Sequence, residues 1–160
     1  MDFHEGDPVM HWTYGLGTIM RLEERNLSGS DMMYYAVQIG DMVVWVPADD
    51  KLESRLRPPT LKAKFMHLLT ILSGPSEALP IDRQERRLLL LEWLKNGRAE
   101  SLCRVIRNLS AYRNIHPLNE TDHALLKRSQ NALLGEWGLA LSVTPAQAEI
   151  ELNRLLASAV

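Results

Sequence analysis

Cysteine is almost absent from this 160-residue chain, where Cys103 stands alone. One thiol cannot close an internal disulfide, and without a Cys-x-x-Cys partner it does not suggest a zinc site. Its place beside Leu102 on a predicted helix is that of a small packing residue rather than a nucleophile. Paired histidines are missing too. His4, His11, His67, His116 and His123 are scattered, with no His-x-His or His-x-x-x-His spacing to present two imidazoles to one metal. Long hydrophobic runs are also lacking: Leu88-Leu89-Leu90-Leu91 stops at Glu92, far short of the roughly 20 residues of a membrane span. The N-terminal Met1-Asp2-Phe3-His4-Glu5 is acidic and has no basic-then-apolar leader design. Tyr14-Gly15-Leu16-Gly17 lacks the third glycine, the following helix and the acidic residue of a dinucleotide site, which leaves a tight β-turn. Asp49-Asp50 reads as loop solvation, since nothing nearby suggests a dry pocket to split two carboxyl pKa values. These absences predict a cytoplasmic protein that is not an enzyme, with no metal, no cofactor, no small-molecule substrate and no membrane partner.

What is present divides in two. In the first 57 residues, Val9 to Trp12, Gly17 to Glu24, Met32 to Ile39 and Met42 to Val46 are short β-favouring runs cut by Gly and Asp. Ser28-Gly29-Ser30 turns one hairpin and Gly40-Asp41 the next, while Pro47 ends the ladder because it has no N–H to give. This is the pattern of a small, strongly bent antiparallel barrel, too small to enclose a reaction chamber. It offers instead a surface or a strand edge to a partner. Arg57-Pro58-Pro59 is the punctuation, since a double proline neither continues a strand nor sits inside a helix.

Five helical patterns follow. Leu61, Phe65, Leu68, Leu69 and Leu72 fall at helical spacing and stop at Ser73-Gly74-Pro75. Asp82-x-x-Glu85 opens the second, which ends at Asn96-Gly97. Its Leu88, Leu89, Leu90, Leu91 and Trp93 surround the axis, predicting a central, buried helix. Leu102, Val105, Ile106 and Leu109 form a third stripe. The fourth and longest starts near Asn119 and carries Leu125, Leu126, Leu133, Leu134, Trp137 and Leu141. Thr144-Pro145-x-Gln147 launches the last with a cap, a proline at the first helical position and a glutamine at the third.

Charge follows the same division. The net charge is −2, which alone argues against a nucleic-acid binder. Residues 1–80 carry seven Lys/Arg against eleven Asp/Glu, whereas residues 83–128 carry ten against five. An acidic barrel is therefore joined to a basic helical body. The basic residues either collect on one face or form the solvated sides of amphipathic helices, and charge alone does not choose between them.

The order Gly6-Asp7-Pro8-Val9, Tyr14-Gly15-Leu16-Gly17, a long hairpin, Val46-Pro47 and Leu56-Arg57 resembles the CarD/CdnL family of bacterial transcription regulators. The barrel is similar to the RNA-polymerase-interacting domain of the transcription-repair coupling factor, and the helical second half resembles CarD. The resemblance implies an α+β protein with a Tudor/SH3-like antiparallel β-barrel over residues 1–57 and a helical domain of about five helices over 60–160. It implies docking on the RNA polymerase β subunit by edge-strand pairing, with basic residues on neighbouring strands. Arg25 falls at one such position and Trp45 at another, where an arginine is expected. The docking segment would then be Val43, Val44, Trp45, Val46 and Pro47. Trp45 either packs in the core or anchors the interface through its exposed ring.

The family also places a tryptophan at the start of the second helix of the body, where it wedges into the minor groove at the edge of the melted promoter. Arg83 takes that place here. It can enter a minor groove but cannot unstack a base step as an indole does. Trp93, inside the apolar run, is expected to be buried. Phosphate contacts, without sequence readout, would come from Arg83, Arg86, Arg87, Lys127 and Arg128. The expected function is a CarD-like regulator that binds polymerase and upstream promoter DNA and modulates open-complex stability. The alternative is a protein–protein adaptor that uses the barrel to bind polymerase or another partner without touching DNA.

Overall fold

The computed structural model describes residues 2–158. Strands β1 (Pro8–His11), β2 (Gly15–Arg25), β3 (Met32–Ile39), β4 (Met42–Pro47) and β5 (Leu56–Arg57) form one antiparallel sheet in the order β4-β3-β2-β1-β5. Two glycines bend it for different reasons. Gly15 takes φ 84°, which a side chain resists, and lets β1 turn into β2. At Gly17 a Cβ would lie 2.6 Å from Ile39 Cγ1, so the strand crosses there only without a side chain. The extra residue Met20, at the register shift between Ile19 and Arg21, adds a bulge that sharpens the curl. Inside the curl Val9, Ile19, Tyr35, Val37, Val46, Leu52 and Leu56 form one core. Phe3 closes it edge-on to Tyr35, the ring centres 5.7 Å apart.

Five helices follow: α1 (Lys62–Leu72), α2 (Arg83–Leu94), α3 (Ala99–Arg113), α4 (Glu120–Leu141) and α5 (Pro145–Ser158). The starts of α2, α4 and α5 sit where short polar side chains satisfy orphan amides. Asp82 accepts from the Glu85 N–H, and Asn119 and Asp122 make a reciprocal capping box. Thr144 and Gln147 exchange the same pair of bonds at 2.9 and 3.1 Å.

The central helix is α3, not α2. Cys103, Val105, Ile106 and Leu109 have no solvent contact. On α2 only Arg86, Leu90 and Leu94 are fully buried, and Leu88 is 56% exposed. Four consecutive leucines point in four directions around a helix, so the run alone could not say which side faces in. Trp93 is half-buried rather than buried, with the Arg104 guanidinium 3.9 Å from its ring centre.

The sheet rests on α4. The turn into β2 meets it closely, since a Cβ on Gly15 would lie 3.2 Å from the Ala132 backbone and one on Gly135 would lie 3.4 Å from Leu16. Beside this contact Glu136 is wholly buried, and both of its oxygens accept from Arg57, at 2.6 and 2.8 Å. Its Oε2 also accepts from the Thr60 N–H at 2.7 Å, just past Pro58-Pro59. Arg57 Nε donates to the Gly97 carbonyl, tying β5 to the loop after α2. Burial by itself would raise the Glu136 pKa, but the Arg57 and Thr60 donors override it and hold the carboxyl below its ordinary range. No helix among the described residues is long and apolar enough to cross a membrane.

Candidate functional site

The first candidate surface is the edge strand β4. Gly40 and Asp41 make a two-residue turn with Gly40 at φ 59°, so the flanking Ile39 and Met42 form a hydrogen-bonded pair. Bonded pairs then recur every second residue, through Val37 with Val44 and Tyr35 with Val46, and the Ala48 N–H donates to Met33 O at 2.9 Å. The backbone N–H and C=O of Val43 and Trp45 therefore face away from β3, on the side where, among the described residues, the sheet has no further strand. Pro47 shares that outward parity and has no N–H, which closes the edge.

Side chains alternate on the same strand. Val46 is buried and Val44 packs against the core, whereas Met42 and Val43 are exposed. Trp45 lies half-buried on the outer face beside Ala36, so it is not a core residue. Two guanidiniums flank its ring: Arg25 at 4.4 Å from the ring centre and Arg21 at 5.4 Å. Glu23 lies between them, accepting from Arg21 at 2.8 Å and standing 3.9 Å from Arg25. Each cation–π contact at such an exposed site contributes about 0.5–1 kcal/mol, enough to orient the ring. The result is a flat, cation-edged plate next to unpaired backbone groups. Arg25 is the residue singled out in the sequence; Arg21 joins it because its alternation with Glu23 and Arg25 puts the three on one face of β2.

The second surface is a cleft of about 650 Å³ where the N-termini of α2 and α4 meet. Arg83, Gln84, Arg87, Asn119, Glu120, Thr121 and His123 line it. Arg83 and Arg87 are exposed, one helical turn apart, and among the described residues neither has a carboxylate within 4 Å. Two helix N-termini and two free guanidiniums converge on one concave site, which favours an anion.

Arg86 does not belong to this surface. It is 2% exposed, its Nε and Nη2 donate to Asp122 at 2.8–3.2 Å, and Nη1 donates to the Pro80 and Ile81 carbonyls and to the Tyr112 hydroxyl. The hydrogen bond to Asp122 raises its pKa and fixes the charge inside the protein. Arg86 thus clamps the start of α2 to the start of α4, and a guanidinium so engaged and buried is out of reach of a phosphate. Its spacing with Leu90 and Leu94 is the sequence signal for this, because four-residue steps keep a side chain on the buried face.

Lys127 is exposed one turn beyond His123 on α4. Arg128 turns the other way, half-buried toward the barrel, 5.8 Å from the Trp12 ring centre. Desolvation lowers its pKa, and it is not grouped with Arg83 and Arg87. Glu120, Thr121, His123 and the capped start of α4 are the cleft components that the basic-residue pattern did not show.

Among the described residues no group of His, Cys, Asp and Glu is placed to hold a metal ion. Cys103 is buried and its thiol pKa is pushed upward, mainly by desolvation, so it is not a nucleophile.

Comparison with known proteins covers both halves of the chain. The family described as CarD-like/TRCF RID domain matches residues 3–59, and that described as CarD, C-terminal domain matches residues 67–153. YdeB of Bacillus subtilis (strain 168), described as a candidate transcription factor, is 25% identical over 148 residues, which span 91% of this chain and 96% of the relative.

Proposed function

Taking as premise that this chain belongs to the CarD family, we propose that it is a transcription regulator with two contact surfaces held by one rigid joint. Residues 1–57 act as the polymerase-binding unit and residues 60–160 as the DNA-facing unit. The open β4 edge, with Trp45 and its two guanidiniums beside it, carries the reading. Val43 and Trp45 present the donors and acceptors that a strand of the RNA polymerase β subunit can pair with. Arg25 and Arg21 favour acidic neighbours of that strand, and the Trp45 ring supplies buried area where the family has an arginine.

The cleft supports the second contact. Arg83 and Arg87, backed by the amide ends of α2 and α4, fit phosphates of upstream promoter DNA, and Lys127 extends the same face. With about three phosphate contacts the expected salt slope is near −3, so the chain alone binds duplex weakly and gains from being delivered by polymerase. Contact at the edge of the melted region would stabilise the open complex by electrostatics and not by wedging, since no indole stands at the start of α2.

A second reading, an adaptor that binds polymerase without DNA, draws on the loss of Arg86 and Arg128 from the phosphate set. One experiment separates the two. Polymerase binding is measured with and without a forked promoter for the native chain, Arg25→Glu and Arg83→Glu. The proposal expects Arg25→Glu to reduce polymerase binding at least tenfold and Arg83→Glu to weaken only the promoter complex. If the promoter adds nothing to native affinity, the adaptor reading replaces it; if polymerase is not bound, both readings fall.

A further inference from the structure

A third surface lies at the joint between sheet and helices and takes no part in either contact above. In the turn from β1 to β2, Trp12 is 45% and Tyr14 53% exposed, unusual for aromatic rings this close to a domain joint. His11 stands between them in near-parallel stacks, its ring centre 6.4 Å from Trp12 at 29° and 5.1 Å from Tyr14 at 27°. The turn is fixed, because His11 Nδ1 accepts from the Thr13 and Tyr14 N–H groups at 3.1 and 3.2 Å and Gly15 abuts Ala132.

Cations frame the rings. Arg128 lies 5.8 Å from the Trp12 ring centre, and Arg98 shares a crevice with Trp12 and Gly97. Among the described residues neither arginine has a carboxylate within 4 Å. The half-buried Arg128 thus keeps an unneutralised charge against a desolvation cost, which a structural role alone does not require.

We infer that Trp12 and Tyr14, with Arg98 and Arg128, form a stacking site for unpaired bases of single-stranded nucleic acid. Exposed rings accept bases of any identity on their faces turned away from His11, and the flanking guanidiniums match a polyanion that follows the rings. An acidic peptide would satisfy the guanidiniums but leave the ring faces open. The site is distinct from the α2/α4 cleft. Arg83 starts α2 and Gly97, beside Trp12, follows its other end, so Arg83 and Trp12 lie about 18 Å apart along the helix, and on α4 Arg128 turns away from exposed Lys127 toward the barrel. The inference extends the DNA reading above without depending on the cleft.

The test uses the full chain and a short oligothymidylate, read by tryptophan fluorescence and by calorimetry. Trp12→Leu keeps an apolar contact with Gly97 but removes the stacking ring, and Tyr14→Ala removes the second. Each should weaken oligonucleotide binding about tenfold. Arg128→Gln should lower the salt slope by about 0.7. Native-like Tm and retained polymerase binding show that the variants fold. The inference is overturned if the native chain does not bind the oligonucleotide, if Trp12→Leu binds as well as native, or if polyglutamate displaces the oligonucleotide at equal charge concentration. Duplex binding by Arg83→Gln reads the cleft separately, so failure of one site is not mistaken for failure of the other.

Discussion

His11 shows how one side chain ties local geometry to solution conditions. Its Nδ1 must stay unprotonated to accept from Thr13 and Tyr14, and burial first, then the nearby Arg128 charge, lower its pKa to about 4. A histidine lowered in the folded state leaves stability intact above the unfolded value near 6.5. Between there and about 4 the unfolded chain binds the proton more readily, so stability falls as pH falls through that window. The loss approaches roughly 3 kcal/mol at its acid end. His11→Asn keeps an acceptor without the titration and should flatten the pH dependence of Tm between 6.5 and 4; an unchanged slope would place the acid sensitivity elsewhere. Arg86 teaches the complementary lesson. Charge suggests surface, yet its step to Leu90 and Leu94 is the better guide, and with Asp122 opposite it the guanidinium is a structural clamp.

At the scale of elements, the β4 edge makes the sharpest prediction because its two sides differ. Val43→Pro removes an N–H that faces outward and so should abolish polymerase binding while shifting Tm little. Val44→Pro removes a bond to β3 and should destabilise the sheet by about 3 kcal/mol or more. Equal loss of polymerase binding without the stability difference would mean that the strand does not dock by its edge. Signals confined to a few neighbouring residues were legible in the sequence: the Gly40-Asp41 turn, the Asn119 and Thr144 caps, the break at Ser73-Gly74-Pro75. Each is decided by backbone chemistry within one turn, so no distant contact can overrule it. The leucine run of α2 was ambiguous because its direction is set by what packs on it, and the outward face of Trp45 depends on strand register. The cleft was half legible, since Arg83 and Arg87 stand out as charge while the α4 amides beside them do not.

For the whole molecule the decisive contact joins residues 79 apart in sequence, Arg57 and Glu136, and no local pattern announces it. A buried carboxylate with three donors fixes orientation more than it adds stability, because desolvation offsets much of the attraction. Removing one partner is different: Glu136→Ala leaves Arg57 and the Thr60 N–H unsatisfied and should cost about 3–5 kcal/mol by urea titration. Glu136→Gln, which keeps an acceptor, should retain more of both stability and promoter cooperativity. If Glu136→Ala instead binds polymerase and promoter together as well as native, the fixed joint is not what couples the two surfaces. The lone thiol of Cys103 lies in the solvent-free core of the helical body and feels the charges of Glu136 and Arg57 across the joint. Because no other sulfhydryl competes with it, its alkylation in native buffer becomes a clock for rare openings of that core, and each chain carries its own single-event recorder of how often the body breathes.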